Sequence, residues 1–157
     1  MLRLSKMTDY GTVVLAHMAR NPQAVHAAAD VAQATHVKLP TVSKLLKLMT
    51  KGGLLASQRG SHGGYVFARL PAEISAADII DAIEGGMGIT ECSGNHSQCD
   101  IEAHCHVGTA WQRIDLAIRD ALKSVSLEQL AQPNTLVPPQ VRIGRNPSRV
   151  IPIKLES

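Results

Sequence analysis

A chain of 157 residues with 45% hydrophobic but only 3% aromatic side chains can form one domain with an aliphatic core. No run approaches the ~20 apolar residues of a membrane helix, and the first residues lack the apolar stretch of a signal peptide. We therefore expect a cytoplasmic protein that does not associate with a membrane.

The net charge of +3 is unevenly distributed along the chain. Residues 1–70 carry nine Lys or Arg and two Asp or Glu, whereas residues 71–132 carry three and ten, and residues 133–157 carry four and one. A basic first half is typical of a polyanion-binding surface, so nucleic acid is the first partner class to consider. Charge alone fits a solvated basic face equally well.

Apolar periodicity predicts helices followed by a β-hairpin in the first half of the chain. The predicted elements are helices over residues 2–20, over residues 27–34 and from residue 39 to a Gly52-Gly53 stop, then strands at residues 54–56 and 65–68. This is the element order of a winged helix-turn-helix, in which the helix before the hairpin enters the major groove of DNA. We therefore predict a mainly α fold with a small β-hairpin wing.

The second half is predicted to contain a connecting helix over residues 75–84 and a long amphipathic helix over residues 109–125. A capping-box pattern at Ser126–Gln129 predicts a short further helix. These elements suggest a DNA-binding region at 1–70, a connecting, sensor and dimerisation region at 71–132, and a flexible basic tail at 133–157.

The third helix and the wing supply the residues that we expect to contact DNA. Ammonium groups three and four residues apart share one helix side, where they can pair with phosphates and release counterions. Short hydroxyl side chains near the helix start can reach base edges, and an arginine can enter a minor groove. The predicted contacts are Lys38, Thr41, Ser43, Lys44, Lys47 and Lys51 in the helix, and Arg59, Ser61 and His62 in the wing.

All three cysteines of the chain, Cys92, Cys99 and Cys105, lie in one polar segment with the spacing C-x6-C-x5-C. An odd count in a cytoplasmic protein argues against a disulfide framework. Thiolates are soft ligands for iron–sulfur clusters or zinc, and three within fourteen residues can converge on one centre. His104 and His106 flank the third cysteine and are candidates for a fourth ligand. A zinc site or a thiol-redox sensor without a cluster stays open.

These features together resemble the IscR/NsrR family of winged-helix iron–sulfur regulators, and most closely its branch of SUF-operon regulators. The resemblance covers about residues 1–132. It rests on the N-terminal sequence at 3–11, the wing at 59–65, the acidic helix at 77–84 and the three cysteines before a long helix.

The resemblance implies a homodimer that binds double-stranded operator DNA and regulates cluster-assembly or stress genes, as a repressor, according to the state of its cluster. Trp111, Ile114, Ile118 and Val125 on the long helix fit the dimer contact, although they also fit an intramolecular core stripe. An NsrR-like member would instead sense nitric oxide.

The identity of the fourth ligand separates two branches of the family. Where IscR proteins carry a histidine three residues after the third cysteine, this chain has Gly108. NsrR proteins use an aspartate of the first helix from the other subunit, and the matching residue is Asp9, so Asp9 and His106 are the two candidates. A [2Fe–2S] cluster is favoured and [4Fe–4S] stays open. No nucleophile–base pair, phosphate loop or paired carboxylates emerge, so we predict that the chain is not an enzyme.

Overall fold

The computed structural model describes residues 4–60, 63–85 and 107–132. In chain order these contain α1 (Lys6–Met18), α2 (Ala28–Thr35), α3 (Leu39–Lys51), β1 (Leu55–Gln58), β2 (Gly64–Phe67), a 3-10 turn (Pro71–Glu73), α4 (Ala76–Glu84), α5 (Gly108–Lys123) and α6 (Leu127–Ala131).

Three helices begin where a serine side chain satisfies free backbone donors. The Ser5 hydroxyl accepts from the Thr8 amide, and Ser75 forms a reciprocal capping box with Asp78 at the start of α4. Ser126 forms the same arrangement with Gln129 at the start of α6, which confirms the capping box predicted there. Each box pairs two amides that the first helical turn leaves without an intrahelical partner.

One aliphatic core joins the three N-terminal helices to the hairpin, to α4 and to α6. Its members are each 2% exposed or less, and comprise Val14, Leu15, Met18, Val31, Val42, Leu45, Leu46, Met49, Leu54, Leu55, Ile74, Ile79 and Leu127. The last of these enters from α6, because the Leu127 amide donates to Ile74 O at 2.7 Å and the Ala76 amide donates to Val125 O at 2.8 Å. The connecting region therefore packs directly on the N-terminal helices.

The two strands pair antiparallel, with Leu55 opposite Phe67 and Gln58 opposite Gly64. A third segment holds the hairpin, because the amide and carbonyl of His26 exchange hydrogen bonds of 2.9 Å with those of Tyr65. The wing is thus fixed at its base to the loop between α1 and α2.

The observed order of helices and hairpin confirms the predicted fold class, with element boundaries shifted by a few residues at most where both ends are described. Helix α1 begins at Lys6, not at residue 2, because Ser5 caps it. Two of its large apolar side chains, those of Tyr10 and Val13, are 38% and 44% exposed. The tail at 133–157 lies outside the described residues. Among the described helices, none is both long and apolar enough to span a membrane.

Candidate nucleic-acid interface and sensor region

Helix α3 separates an apolar face from a cationic one. Its residues Val42, Leu45, Leu46 and Met49 have no exposed surface, whereas Lys44, Lys47 and Lys51 are exposed. Thr41 and Ser43 are partly buried, and Lys38 is exposed at the N-cap position. The helix therefore presents three ammonium groups to solvent on the side opposite the core, as a phosphate-binding surface requires.

A short turn fixes where α3 begins. His36 adopts the left-handed conformation with a φ of 57°, which ends α2, and Val37 packs against the core. Pro40 lies in the first turn of α3, where a missing N–H costs no hydrogen bond. The amides of Thr41 and Val42 both donate to Lys38 O, so this carbonyl closes the first turn of α3.

The wing places Arg59 directly after β1, with its side chain exposed. Gly60 follows with a φ of 124°, a conformation that side chains disfavour, and it accepts a 3.0 Å hydrogen bond from the Gly63 amide. Ser61 and His62, the other predicted wing contacts, lie outside the described residues. The structure therefore puts Arg59 at the base of the wing tip.

The predicted sensor ligands are divided between the described and the other residues. Cys92, Cys99, Cys105 and His106 lie outside the described residues, so their predicted role stays a prediction. Asp9 is exposed in the first turn of α1. Within residues 4–60, 63–85 and 107–132, no three His, Cys, Asp or Glu side chains are arranged to hold a metal.

Asp9 lies on the lining of an open groove of about 1080 Å³ between α1, α4, α5 and α6. Most of the lining is apolar, and it consists of Leu4, Ser5, Lys6, Thr8, Asp9, Thr12, Ala76, Ile79, Ile80, Leu122, Val125 and Leu130. The candidate carboxylate ligand is thus next to an apolar depression that the described residues leave open.

Glu84, the last residue of α4, binds the start of α1. Its Oε1 accepts a hydrogen bond from the Thr8 hydroxyl and one of 3.2 Å from the Ser5 amide. The Thr8 hydroxyl lowers the pKa of the Glu84 carboxyl, while partial burial opposes the shift. Glu84 is not among the predicted site residues. An acidic residue in the last turn of a helix is unfavourable for the helix dipole, but this position alone does not identify its partners.

Glycines let α4 approach both α1 and the end of α3. A Cβ atom added at Gly11 would lie 2.3 Å from Ile83 Cδ1, and one added at Gly52 would lie 2.5 Å from Ala82 Cβ. Both distances are far below a normal carbon–carbon contact. The last turn of α4 therefore touches both α1 and the end of α3, and it comes shortly before the cysteines in the sequence.

The predicted apolar stripe of α5 is split between two environments. Trp111 and Ile114 are 41% and 44% exposed, whereas Ile118 is partly buried. Val125, which follows the helix, is also partly buried and lines the groove of its own chain. Leu116, which lies outside the predicted stripe, is 58% exposed.

A charged pair attaches α5 to α4. The Arg119 guanidinium donates two hydrogen bonds to the Asp81 carboxylate, of 2.9 and 3.3 Å, and α5 also buries Asp115 to 6% exposure. These contacts orient α5 so that Trp111 and Ile114 remain uncovered by the chain's own described residues. Their predicted role in a dimer contact stays a prediction.

The sequence is similar to those of known transcription regulators. The Rrf2 family model, described as an iron-dependent transcriptional regulator, matches residues 4–133. Protein rrf2 of Nitratidesulfovibrio vulgaris is 27% identical over 141 residues, which are 87% of this chain and 92% of that protein. The HTH-type transcriptional regulator IscR of Pectobacterium atrosepticum is 30% identical over 102 residues, 65% of this chain and 62% of that protein.

Among solved structures, CymR, the global cysteine regulator of B. subtilis, is similar with a TM-score of 0.64 and 28% identity over 83% of this chain and 97% of that one. The relatives and the shared fold are those of transcription regulators. The prediction that the chain is not an enzyme is thereby confirmed.

Proposed function

Because this chain belongs to the Rrf2 family of DNA-binding transcription regulators, we propose that it is a repressor whose affinity for operator DNA depends on an iron–sulfur cluster. Cys92, Cys99 and Cys105 are its proposed cluster ligands. We further propose that it controls genes of iron–sulfur cluster assembly, of the SUF type, or of the stress response. The IscR/NsrR resemblance seen in the sequence is confirmed by the family match and by the IscR relative.

The proposed DNA interface is the solvent face of α3 together with the wing. Its support is the exposure of Lys44, Lys47 and Lys51 opposite a fully buried apolar face. Each lysine that neutralises a phosphate releases condensed counterions, so binding depends on salt. Arg59 at the wing adds a guanidinium that can enter a groove.

Changing Lys44 to Ala tests this interface. Affinity should fall on all sequences, and the slope of log affinity against log salt should become shallower by about one unit if Lys44 contacts a phosphate. Lys123→Ala, which removes an exposed lysine on α5, is the matched control and should leave the slope unchanged. Equal slopes for Lys44→Ala and wild type would place the interface elsewhere.

The donor set of the sensor segment fits a cluster. Three thiolates within fourteen residues are soft ligands, and a cluster that they hold supplies a redox-sensitive and oxygen-sensitive group. Two candidates remain for the fourth ligand. Asp9 is exposed beside an open groove, which supports donation to a second subunit, whereas His106 is a neighbour of Cys105 in sequence. We favour a [2Fe–2S] cluster, with [4Fe–4S] as the alternative.

Helix α4 is the proposed mechanical link between sensor and DNA interface. Glu84 is bound to Ser5 and Thr8 beside Asp9, and Ala82 touches the end of α3, the proposed recognition helix, at Gly52. Holding three thiolates at one centre restrains the segment that follows Glu84. A change in that restraint would act on α4, and through Ala82 on the orientation of α3, by shifting the balance between two conformations.

A homodimer would give this link its effect on affinity. Two recognition helices must match half-sites about one DNA turn, ~34 Å, apart, so a small rotation of each helix changes the fit. The exposed residues Trp111 and Ile114 support α5 as the contact between the two copies, because apolar side chains of this size gain free energy on burial.

Three cysteines in the segment directly after α4 carry the sensor proposal. The test is anaerobic purification, with visible absorption and analysis of iron and sulfide. We expect a coloured protein with iron and sulfide in equal amounts, and loss of the colour in Cys92→Ala, Cys99→Ala and Cys105→Ala variants that still fold. Asp9→Ala or His106→Ala should instead give a labile cluster, because a carboxylate or an imidazole is a weaker donor than a thiolate.

The similarity to CymR favours a second candidate function, a regulator that uses the same cysteines for thiol-redox or zinc sensing without a cluster. A colourless protein whose operator affinity changes on mild oxidation would favour thiol-redox sensing. A colourless protein with one bound zinc per chain would favour a zinc sensor. Either result would overturn the cluster proposal.

A further inference from the structure

The N-terminal tip of the recognition helix is apolar and exposed. Leu39 is the first residue of α3 and is 46% exposed, and the exposed Pro40 follows it. Farther along the helix, Leu45 and Leu46 have no exposed surface. The apolar tip therefore departs from the pattern of α3, in which large aliphatic side chains otherwise face inward.

The geometry of the helix directs this tip outward. Side chains in an α-helix tilt toward its N-terminus, so that of Leu39 extends beyond the first turn instead of lying along the helix. The preceding turn is fixed by the left-handed His36 and by Val37, which packs on the core. Leu39 is consequently held in place by its backbone while its own side chain remains uncovered.

Residues at the N-terminal end of such a helix reach base edges in the major groove. Leu39 and Pro40 have no side-chain donor or acceptor, and the proline also lacks an amide hydrogen, so neither side chain can pair with a phosphate. The C5-methyl group of thymine is the apolar group that base pairs present in the major groove. It is the natural counterpart of an apolar tip on an otherwise cationic helix.

We propose that Leu39, with Pro40 beside it, contacts a thymine methyl group and so specifies an A·T pair in the operator. The proposal rests on the proposed DNA interface and adds to it a residue that selects sequence, whereas the lysines of α3 supply affinity on any sequence. Burying one methyl is worth ~0.8 kcal/mol, which corresponds to about a fourfold change in the dissociation constant.

The test removes the methyl from the DNA and the side chain from the protein. An operator is selected in vitro with the full chain, and each thymine is then replaced singly by uracil, which lacks only the methyl group. We expect one thymine position in each half-site where uracil weakens wild-type binding about fourfold. In the Leu39→Ala variant the same replacement should change affinity by less than a factor of about 1.5.

Two further variants make each outcome decisive. Leu70→Ala removes a leucine that is 54% exposed on a different surface, and it should keep the full sensitivity to uracil. Lys44→Ala should bind more weakly but keep that sensitivity too. A Leu39→Ala variant as sensitive to uracil as wild type, or a wild type insensitive at every thymine, would overturn the proposal. If Lys44→Ala bound as tightly as wild type, the DNA interface on α3 would fail as well.

Discussion

The amphipathic helices α3 and α5 differ in how far their large apolar side chains are buried. Helix α3 buries Leu45 and Leu46 completely within its own chain. Helix α5 leaves Trp111, Ile114 and Leu116 between 41% and 58% exposed. The two helices have comparable amphipathic patterns in the sequence, so the difference comes from what each of them is packed against.

The contrast shows what periodicity can and cannot specify. A repeated apolar position indicates a side that gains free energy on burial, but not which chain covers it. For α3 the cover is the chain's own core, formed with α1 and the hairpin. For the exposed part of α5 the described residues supply no cover, which is why we propose a second copy of the chain there.

Truncating one leucine on each helix should give the largest difference between α3 and α5. Leu46→Ala creates a cavity in the core and should lower the free energy of unfolding by about 2–5 kcal/mol. Leu116→Ala should change it by less than about 0.5 kcal/mol at protein concentrations where the chain is monomeric. Denaturant titration measures both. A similar loss for the two variants would show that α5 is part of the core.

A charge on the exposed side of α5 should separate the two copies. Ile114→Glu would place an unpaired carboxylate in the proposed contact, at a cost of about 3 kcal/mol, so association should weaken by at least about a hundredfold. Gln112→Glu adds the same charge at an exposed polar position of the same helix and serves as control. Analytical ultracentrifugation at several protein concentrations measures the dissociation constant of the dimer. A folded Ile114→Glu dimer of wild-type affinity would put the interface elsewhere.

A change at the close contact between α4 and α1 should have a smaller effect on the free energy of unfolding. Gly11→Ala forces a methyl group against Ile83 and should destabilise the fold by about 1–3 kcal/mol. The double variant Gly11→Ala with Ile83→Ala removes the clash, so the two changes should cost less together than their separate sum. Strict additivity in thermal unfolding would show that these two residues do not press on each other.

The smallest predicted effect concerns pH and the contact between α4 and α1. Because the folded-state pKa of Glu84 lies below its ordinary 4.5, its contribution is complete above pH 4.5 and is lost as the pH falls through the lower, folded-state pKa. The carboxyl is exposed, so the contribution should be under about 1 kcal/mol.

The difference in unfolding free energy between wild type and Glu84→Gln, measured from pH 7 to pH 3, should therefore shrink toward zero at the acidic end. Glu128→Gln on α6 is the matched control. A difference that stays constant over this range would mean that the charge of Glu84 adds no stability through its hydrogen bond with the Thr8 hydroxyl.

Local signals made most of the fold predictable. Ser126 and Gln129 are three residues apart and predict a helix start, and Gly52-Gly53 follows a periodic apolar run and predicts a helix end. Each pattern can be recognised within a few consecutive residues. The contact of Glu84 with Ser5 and Thr8 spans 79 and 76 residues. Such a pair depends on how two helices pack, and no local pattern encodes that.

The placement of the candidate DNA-contacting lysines was predictable to a similar degree. Spacing alone predicts that Lys44, Lys47 and Lys51 share one side of α3, since they are three and four residues apart. In the structure all three are exposed. Spacing did not predict the partition of the α5 stripe, since Ile118 is partly buried while Ile114 is not. That division depends on α4, which is attached through Asp81 and Arg119.

In the proposed mechanism, the cysteine segment controls the DNA interface through α4. The most direct measurement compares the operator affinity of the anaerobically purified protein with that of the same protein after its iron is removed, at one salt concentration. We expect affinities that differ by at least about tenfold, and a smaller difference in the Gly52→Ala variant, where the contact with Ala82 is disturbed. Identical affinities of the two wild-type forms would contradict control of the DNA interface by the cysteine segment.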